Sequence, residues 1–158
     1  MPKGAHGPGK PPQPERLLCE NRKARFRYEV LATFEAGIVL RGTEVKAMRQ
    51  GKMTLDEAFG RVIEDEAWLV GANIAEYSHG NVQNHEPKRK RKLLLHAREI
   101  KRLKGQTQQK GLTLVPLRVY WNPRGLAKIT LGVCRGKQAH DKRQTLREKD
   151  ARREMRER

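Results

Sequence analysis

Aromatic side chains make up only 5% of the 158 residues, cysteine occurs twice, and 18 acidic residues face 35 lysines and arginines. Each shortage excludes something. Cys19 and Cys134 stand far apart, and neither has a paired Cys or His spacing around it, so no disulfide framework and no zinc site is signalled. Cys134 is expected to be a small buried hydrophobe. No stretch approaches the roughly 20 apolar residues of a membrane span, and the N-terminus offers no apolar segment suited to a secretion signal, so a cytoplasmic chain is expected. The sequence also lacks a P-loop, a nucleophile elbow, an HExxH pair and a dinucleotide fingerprint. No enzyme class, cofactor, metal or small-molecule substrate is indicated.

What the sequence has in excess is positive charge. A formal net charge of +17 is a self-repelling surplus that is best accommodated beside a polyanion, which makes nucleic acid the leading partner class. The surplus is not spread evenly. Residues 21–84 balance nine cations against nine carboxylates, whereas residues 85–110 set ten cations against two and residues 134–158 set ten against five. A neutral first half and a basic second half suggest one body with a binding face, followed by a tail.

The length suits a single domain. Five prolines and three glycines in the first fifteen residues, with no large apolar side chain after Met1, predict a disordered leader over residues 1–16. The segment RLLCENRKAR is expected to form a short helix with Leu17 and Leu18 packing on the body, and a strand is expected from Phe26, with Gly37 at a bulge or bend. RGTEVKAMRQG reads as a helix with Thr43 as a possible N-cap, Glu44 in its first turn, and Val45 and Met48 facing the core. Strands follow at roughly 58–64 and 67–74, joined by the acidic turn Glu64, Asp65 and Glu66. A polar loop then ends in five consecutive cations, Lys88, Arg89, Lys90, Arg91 and Lys92. His96 and Glu99 have capping-box spacing at the head of the next helix, which packs Ile100 and Leu103 inward and stops at Gly105 or Gly111. Leu112 to Trp121 and Ala127 to Val133 form a hairpin across the turn NPRG, with Lys128 on the face opposite Ala127, Ile129, Leu131 and Val133. Pro116 marks an edge or a bulge. The expected fold is α+β: a small closed antiparallel barrel of about six strands over residues 17–135, with two or three short helices. The basic tail of residues 136–158 has no apolar stripe and is expected to be mobile alone, folding in an RNA-lined site.

Of the five histidines, His6 lies in the leader, His79 and His85 bracket a loop, and His96 is a cap. His140 beside Asp141 has the chemistry for RNA cleavage, but a mobile tail cannot hold a reacting pair in geometry, so phosphate or base contact is the expected role.

Several strings in order, NRKA at 21–24, FEAGIVLRGTEVKAMRQG at 34–51, DEAWL at 65–69, RKRKLLLH at 89–96, VPLRVYW at 115–121 and GKQAHDKR at 136–143, resemble the small protein B family, the tmRNA-binding proteins of bacterial trans-translation. The resemblance implies an oligonucleotide-binding-like barrel that grips the tRNA-like domain of tmRNA and carries it to stalled ribosomes. It further implies contact with small-subunit ribosomal RNA and an indirect link to elongation factor Tu through alanyl-tmRNA. The C-terminal tail would become helical in the vacant mRNA channel. By motif, Asn21, Glu35, Leu94 and Lys128 are carried over as tmRNA contacts or supports of that surface. Asn21 has the alternative of capping a turn, Glu35 of fixing the barrel, and Leu94 of plain core. Lys88 to Lys92 are expected to touch phosphate. Gly136, Lys137, His140, Asp141, Lys142 and Arg143 match the family's hinge and decoding-centre motif, with Met155 the only late apolar side chain of the tail. Ala47 departs from the usual serine, and the leader has no counterpart. A general structured-RNA-binding or ribosome-associated protein is the alternative the charge alone would allow.

Overall fold

The computed structural model describes residues 15–79, 83–137, 146–153 and 155. Elements run β1 (Arg16–Glu20), α1 (Arg22–Arg27), β2 (Tyr28–Ile38), α2 (Gly42–Arg49), β3 (Met53–Thr54), β4 (Phe59–Ile63), β5 (Glu66–Val70), β6 (Asn73–Ile74), β7 (Arg91–Leu94), α3 (Ala97–Thr107), β8 (Leu112–Trp121) and β9 (Ala127–Gly136). Residues 146–153 are helical and exposed. The architecture is α+β and rich in strands.

Seven strands pair in the order β1-β8-β4-β5-β7-β2-β9, and β9 pairs again with β8. Every pairing is antiparallel. The β4–β8 junction rests on the single pair Gly60↔Leu114. A Cβ at Gly60 would stand 2.5 Å from Leu114 Cδ2, and Leu114 is itself buried, so the two backbones approach only because that side chain is missing.

The alternation expected of the last hairpin is present. Ala127, Ile129, Leu131 and Val133 point inward, joined by Leu114 and Val119 from β8, Phe34 and Ala36 from β2, Leu69 from β5 and Leu93 from β7. Met48 of α2 and Leu103 of α3 close over this core. Burying each large apolar side chain contributes roughly 1.5–3 kcal/mol. The register of β8 shifts between Pro116 and Arg118, a bulge at the expected proline. Because of that bulge Leu117 leaves the inward row. It packs instead with Ala24, Val115, Cys134 and Tyr28 in a second apolar cluster under α1. Burial pushes the Cys134 thiol up to about 11, in keeping with its expected place as a small hydrophobe.

Several expected boundaries are corrected. Residues 16–20 form a strand paired with β8, so Arg16 belongs to the body and not to the leader. The helix follows that strand, and Phe26 lies in it, with β2 starting at Tyr28. Arg41 rather than Thr43 caps α2: its backbone N–H donates to Glu44 Oε1 at 2.8 Å. His96 does cap α3, but the helix runs through Gly105 to Thr107. Gly136 is still paired with Tyr28, and Lys137 donates its backbone N–H to Arg27 O at 2.9 Å, so the body extends two residues beyond 135. Among the described residues no helix is long and apolar enough to cross a membrane.

Candidate nucleic-acid interface

Residues directly opposite one another in a sheet share a face, so register alone locates the outward groups. Gly37 pairs with Leu94 of β7 on one side and Lys128 of β9 on the other, and Lys128 pairs onward with Tyr120 of β8. One step along, Glu35 pairs with Thr130, which pairs with Arg118. Glu35, Leu94 and Lys128, drawn from three separate stretches of sequence, therefore sit on one outer face of adjoining strands. Leu94 is 54% exposed, which excludes the plain-core alternative. It lies against the backbone of β2, where a methyl group on Gly37 would stand 3.4 Å from Leu94 Cβ.

Thr130 lies on this face with Lys128, as the alternation of β9 predicts, and Arg118 and Tyr120 of β8, the latter buried beneath its neighbours, join it without having been anticipated. Their signal was legible, since they alternate with Val119, but the bulge at Pro116 obscures the phase of β8. The Arg118 guanidinium stacks on the Tyr120 ring at 4.5 Å. Burial first, and then the hydrogen bond and charge of Glu35, hold the Tyr120 hydroxyl protonated above the usual phenol range. Glu35 thus engages the sheet's own tyrosine beside the two cations of the face.

The five-cation run divides. Lys88 and Lys90 are exposed, Lys90 placing its ammonium 4.5 Å above the Trp68 ring, and Lys92 pairs with Glu66 at 3.3 Å. Arg91 is a correction: it is fully buried and cannot touch phosphate. Its guanidinium donates to Glu44, to Ala72 O at 2.8 Å and to Pro87 O at 3.0 Å. Arg89, partly buried, donates to the same Glu44 carboxylate. Burial alone would raise the Glu44 pKa, but the hydrogen bonds from Arg89, the Arg41 N–H and Arg91 outweigh it and hold the carboxylate ionised below its ordinary range. His85 braces the same loop. Its Nε2 lies 2.8 Å from Ile74 O, which can only accept, so Nε2 carries the proton, and Nδ1 meets the Thr43 hydroxyl at 3.0 Å.

Asn21 takes the capping alternative. Only 4% exposed, it caps α1, accepting from Ala24 N at 3.3 Å, while its amide donates to Pro116 O at 3.1 Å and Leu55 O at 3.4 Å. Its polar atoms are thereby engaged within the protein, in a supporting position under the surface. Next to it, a cleft of about 190 Å³ under α1 mixes Lys23 and Arg27 with Asp56 and Glu57, so its charges oppose one another. Lys137 donates its side chain to Arg25 O at 2.9 Å, and Gly136 ends β9. His140, Asp141, Lys142 and Arg143 lie outside the described residues. Met155 is 79% exposed. Among the described residues no cluster of three or more His, Cys, Asp or Glu side chains could hold a metal.

A strand-rich body with lysine and arginine on an outward sheet face, next to a braced cationic loop, is of the class that binds a polyanion. The family model described as SmpB protein matches residues 18–158. The SsrA-binding protein of Shouchella clausii is 54% identical over 140 residues, covering 89% of each chain. That of Rhodopirellula baltica is 52% identical over 134 residues, covering 85% of this chain and 76% of the relative. A solved structure described as "tmRNA-SmpB: a journey to the center of the bacterial ribosome" superposes with a TM-score of 0.65 at 54% identity, covering 77% of this chain and 85% of that one. The chain belongs to the SmpB family.

Proposed function

We propose that the protein is a non-enzymatic adaptor in trans-translation: it binds the tRNA-like domain of tmRNA and delivers it to stalled ribosomes. Relatives with about half of their residues identical carry the name SsrA-binding protein, and the matching solved structure concerns tmRNA, SmpB and the ribosome. The observation that carries the reading is the convergence of Glu35, Leu94 and Lys128 on one exposed face, with Lys88 and Lys90 on the adjoining loop.

The mechanism follows from the chemistry of these groups. Lysines and arginines at the face release counterions from the RNA backbone and position it, without reading sequence. Leu94 offers an apolar contact for a base or ribose, and Glu35 and Thr130 offer hydrogen-bonding partners. The six strands linked in a ring by the β8–β9 pairing support an oligonucleotide-binding-like barrel. The basic tail, with His140, Asp141, Lys142 and Arg143 at its start, enters the vacant mRNA channel against small-subunit ribosomal RNA, in the cytoplasm. Elongation factor Tu is reached indirectly through alanyl-tmRNA.

Competition binding at physiological salt tests the assignment. The protein should prefer the tRNA-like domain of tmRNA to unrelated structured RNA of equal length; equal affinity would favour a general RNA-binding role.

A further inference from the structure

Trp68 is a partly exposed indole in a chain with two tryptophans. It stands in the middle of an outward row, opposite Arg61 of β4 on one side and Lys92 of β7 on the other. Its strand neighbours Ala67 and Leu69 are fully buried, so the alternation of β5 turns the indole away from the core. Two residues along β7 from Lys92 is Leu94, which places this row next to the Leu94–Lys128 patch.

The surrounding charges suit one kind of ligand. Lys90 hovers over the ring at 4.5 Å, and Arg61 is exposed and joins no ion pair among the described residues. Two of the three carboxylates of the acidic turn are already matched, Glu66 with Lys92 at 3.3 Å and Asp65 with Lys104 at 3.1 Å. An aromatic face with one cation resting on it and a second, Arg61, beside it and outside any ion pair among the described residues is what a splayed-out nucleotide requires: a π-surface for its base and positive charge for the phosphates on either side. Paired bases within a duplex present no free face to an indole.

Building on the reading that this protein binds tmRNA, we propose that Trp68 is a stacking platform for an unpaired base of that RNA, with Lys90 and Arg61 holding the adjacent phosphates. In the free protein the Lys90 ammonium covers the indole. When the base arrives it takes over the ring, and the ammonium swings to the phosphate next to it.

The test uses the full chain carrying Trp121→Phe, which leaves Trp68 as the sole indole; Trp121 faces inward opposite Ala127, away from this row. Titration with the tRNA-like domain of tmRNA should quench the Trp68 fluorescence. Adding Trp68→Ala should weaken binding by about 5- to 100-fold, the range for losing one base stack, with the salt slope and melting temperature unchanged. Trp68→Phe, which keeps a ring, should lie within a few-fold of the parent. Lys90→Ala should instead lower the slope of log affinity against log salt by about one.

Unchanged affinity in Trp68→Ala, or an equal loss in both variants together with a fall in melting temperature, overturns the proposal. So does loss of ribosome retention with tmRNA affinity intact, which would assign Trp68 to a different partner. If the parent itself fails to prefer the tRNA-like domain over unrelated RNA, it is the adaptor reading that falls; if that preference holds and Trp68→Ala binds as tightly as the parent, only the stacking role is lost.

Discussion

Within the run Lys88 to Lys92, neighbouring cations do opposite jobs, and burial separates them. Replacing Arg91 with Ala leaves the Glu44 carboxylate buried with one partner removed and two carbonyls unpaired, which should cost about 3–5 kcal/mol and appear as a large drop in melting temperature. Replacing exposed Lys88 with Ala should leave melting unchanged and reduce the salt slope of RNA binding by about one. Lys128→Ala should weaken tmRNA binding by roughly 1 kcal/mol or more without unfolding the protein, as measured by parallel binding and thermal melts. The Glu44 pKa adds a pH signature. A carboxylate whose folded pKa is depressed stabilises the native state above its unfolded value and loses that contribution as pH falls through the folded one. Wild type should therefore exceed Glu44→Gln in stability at neutral pH, and the gap should shrink steadily as acidity takes the protein below the ordinary Glu value of 4.5. None of this could be read from the run itself. Arg91 and Glu44 are 47 positions apart, and only folding brings them together.

Among elements, what was legible depended on how local the deciding interaction is. The β8–β9 hairpin, the bulge at Pro116 and the His96 cap were all anticipated, because alternation, a missing N–H and a side chain three residues away are short-range facts. The strand at Arg16–Glu20 was missed because its pairing partner lies about a hundred residues later, at Arg118–Trp121. Likewise the outward position of Lys128 followed from its own strand, whereas its proximity to Leu94 and Glu35 depended on β2 lying between β7 and β9. The family resemblance named those three residues without showing how they meet. The β4–β8 junction gives an element-scale prediction. Gly60→Ala forces a methyl group into the buried Leu114 side chain and should destabilise the protein by about 1–3 kcal/mol, measurable by urea unfolding.

For the whole molecule, the uneven charge distribution separates a body that holds RNA from an extension that follows it. Residues 146–153 form an exposed helix in which Leu146, at 45% exposure, is the large apolar side chain. Truncation after Arg143 should leave affinity for tmRNA intact and abolish peptide tagging of stalled products, as measured by tag-specific immunoblotting in a reconstituted translation system; undiminished tagging would remove the proposed tail role. The expected division into leader, body and tail needs its body limits moved to Arg16 and Lys137, where hydrogen bonds across the sheet fasten both ends.

The same fastening has a consequence for biosynthesis. Tyr28 to Gly37 pair with Lys128 to Gly136, and the Asn21 amide bonds a carbonyl 95 positions later. A nascent chain emerging from its N-terminus therefore lacks the main partner of its first long strand until β9 has been made, with only Gly37 and Ile38 able to pair earlier, with Leu94 and Leu93 of β7. Maturation must wait on late-arriving segments, so the protein should acquire protease resistance only near the end of translation and refold on the slower, millisecond-to-second scale of non-local β topologies.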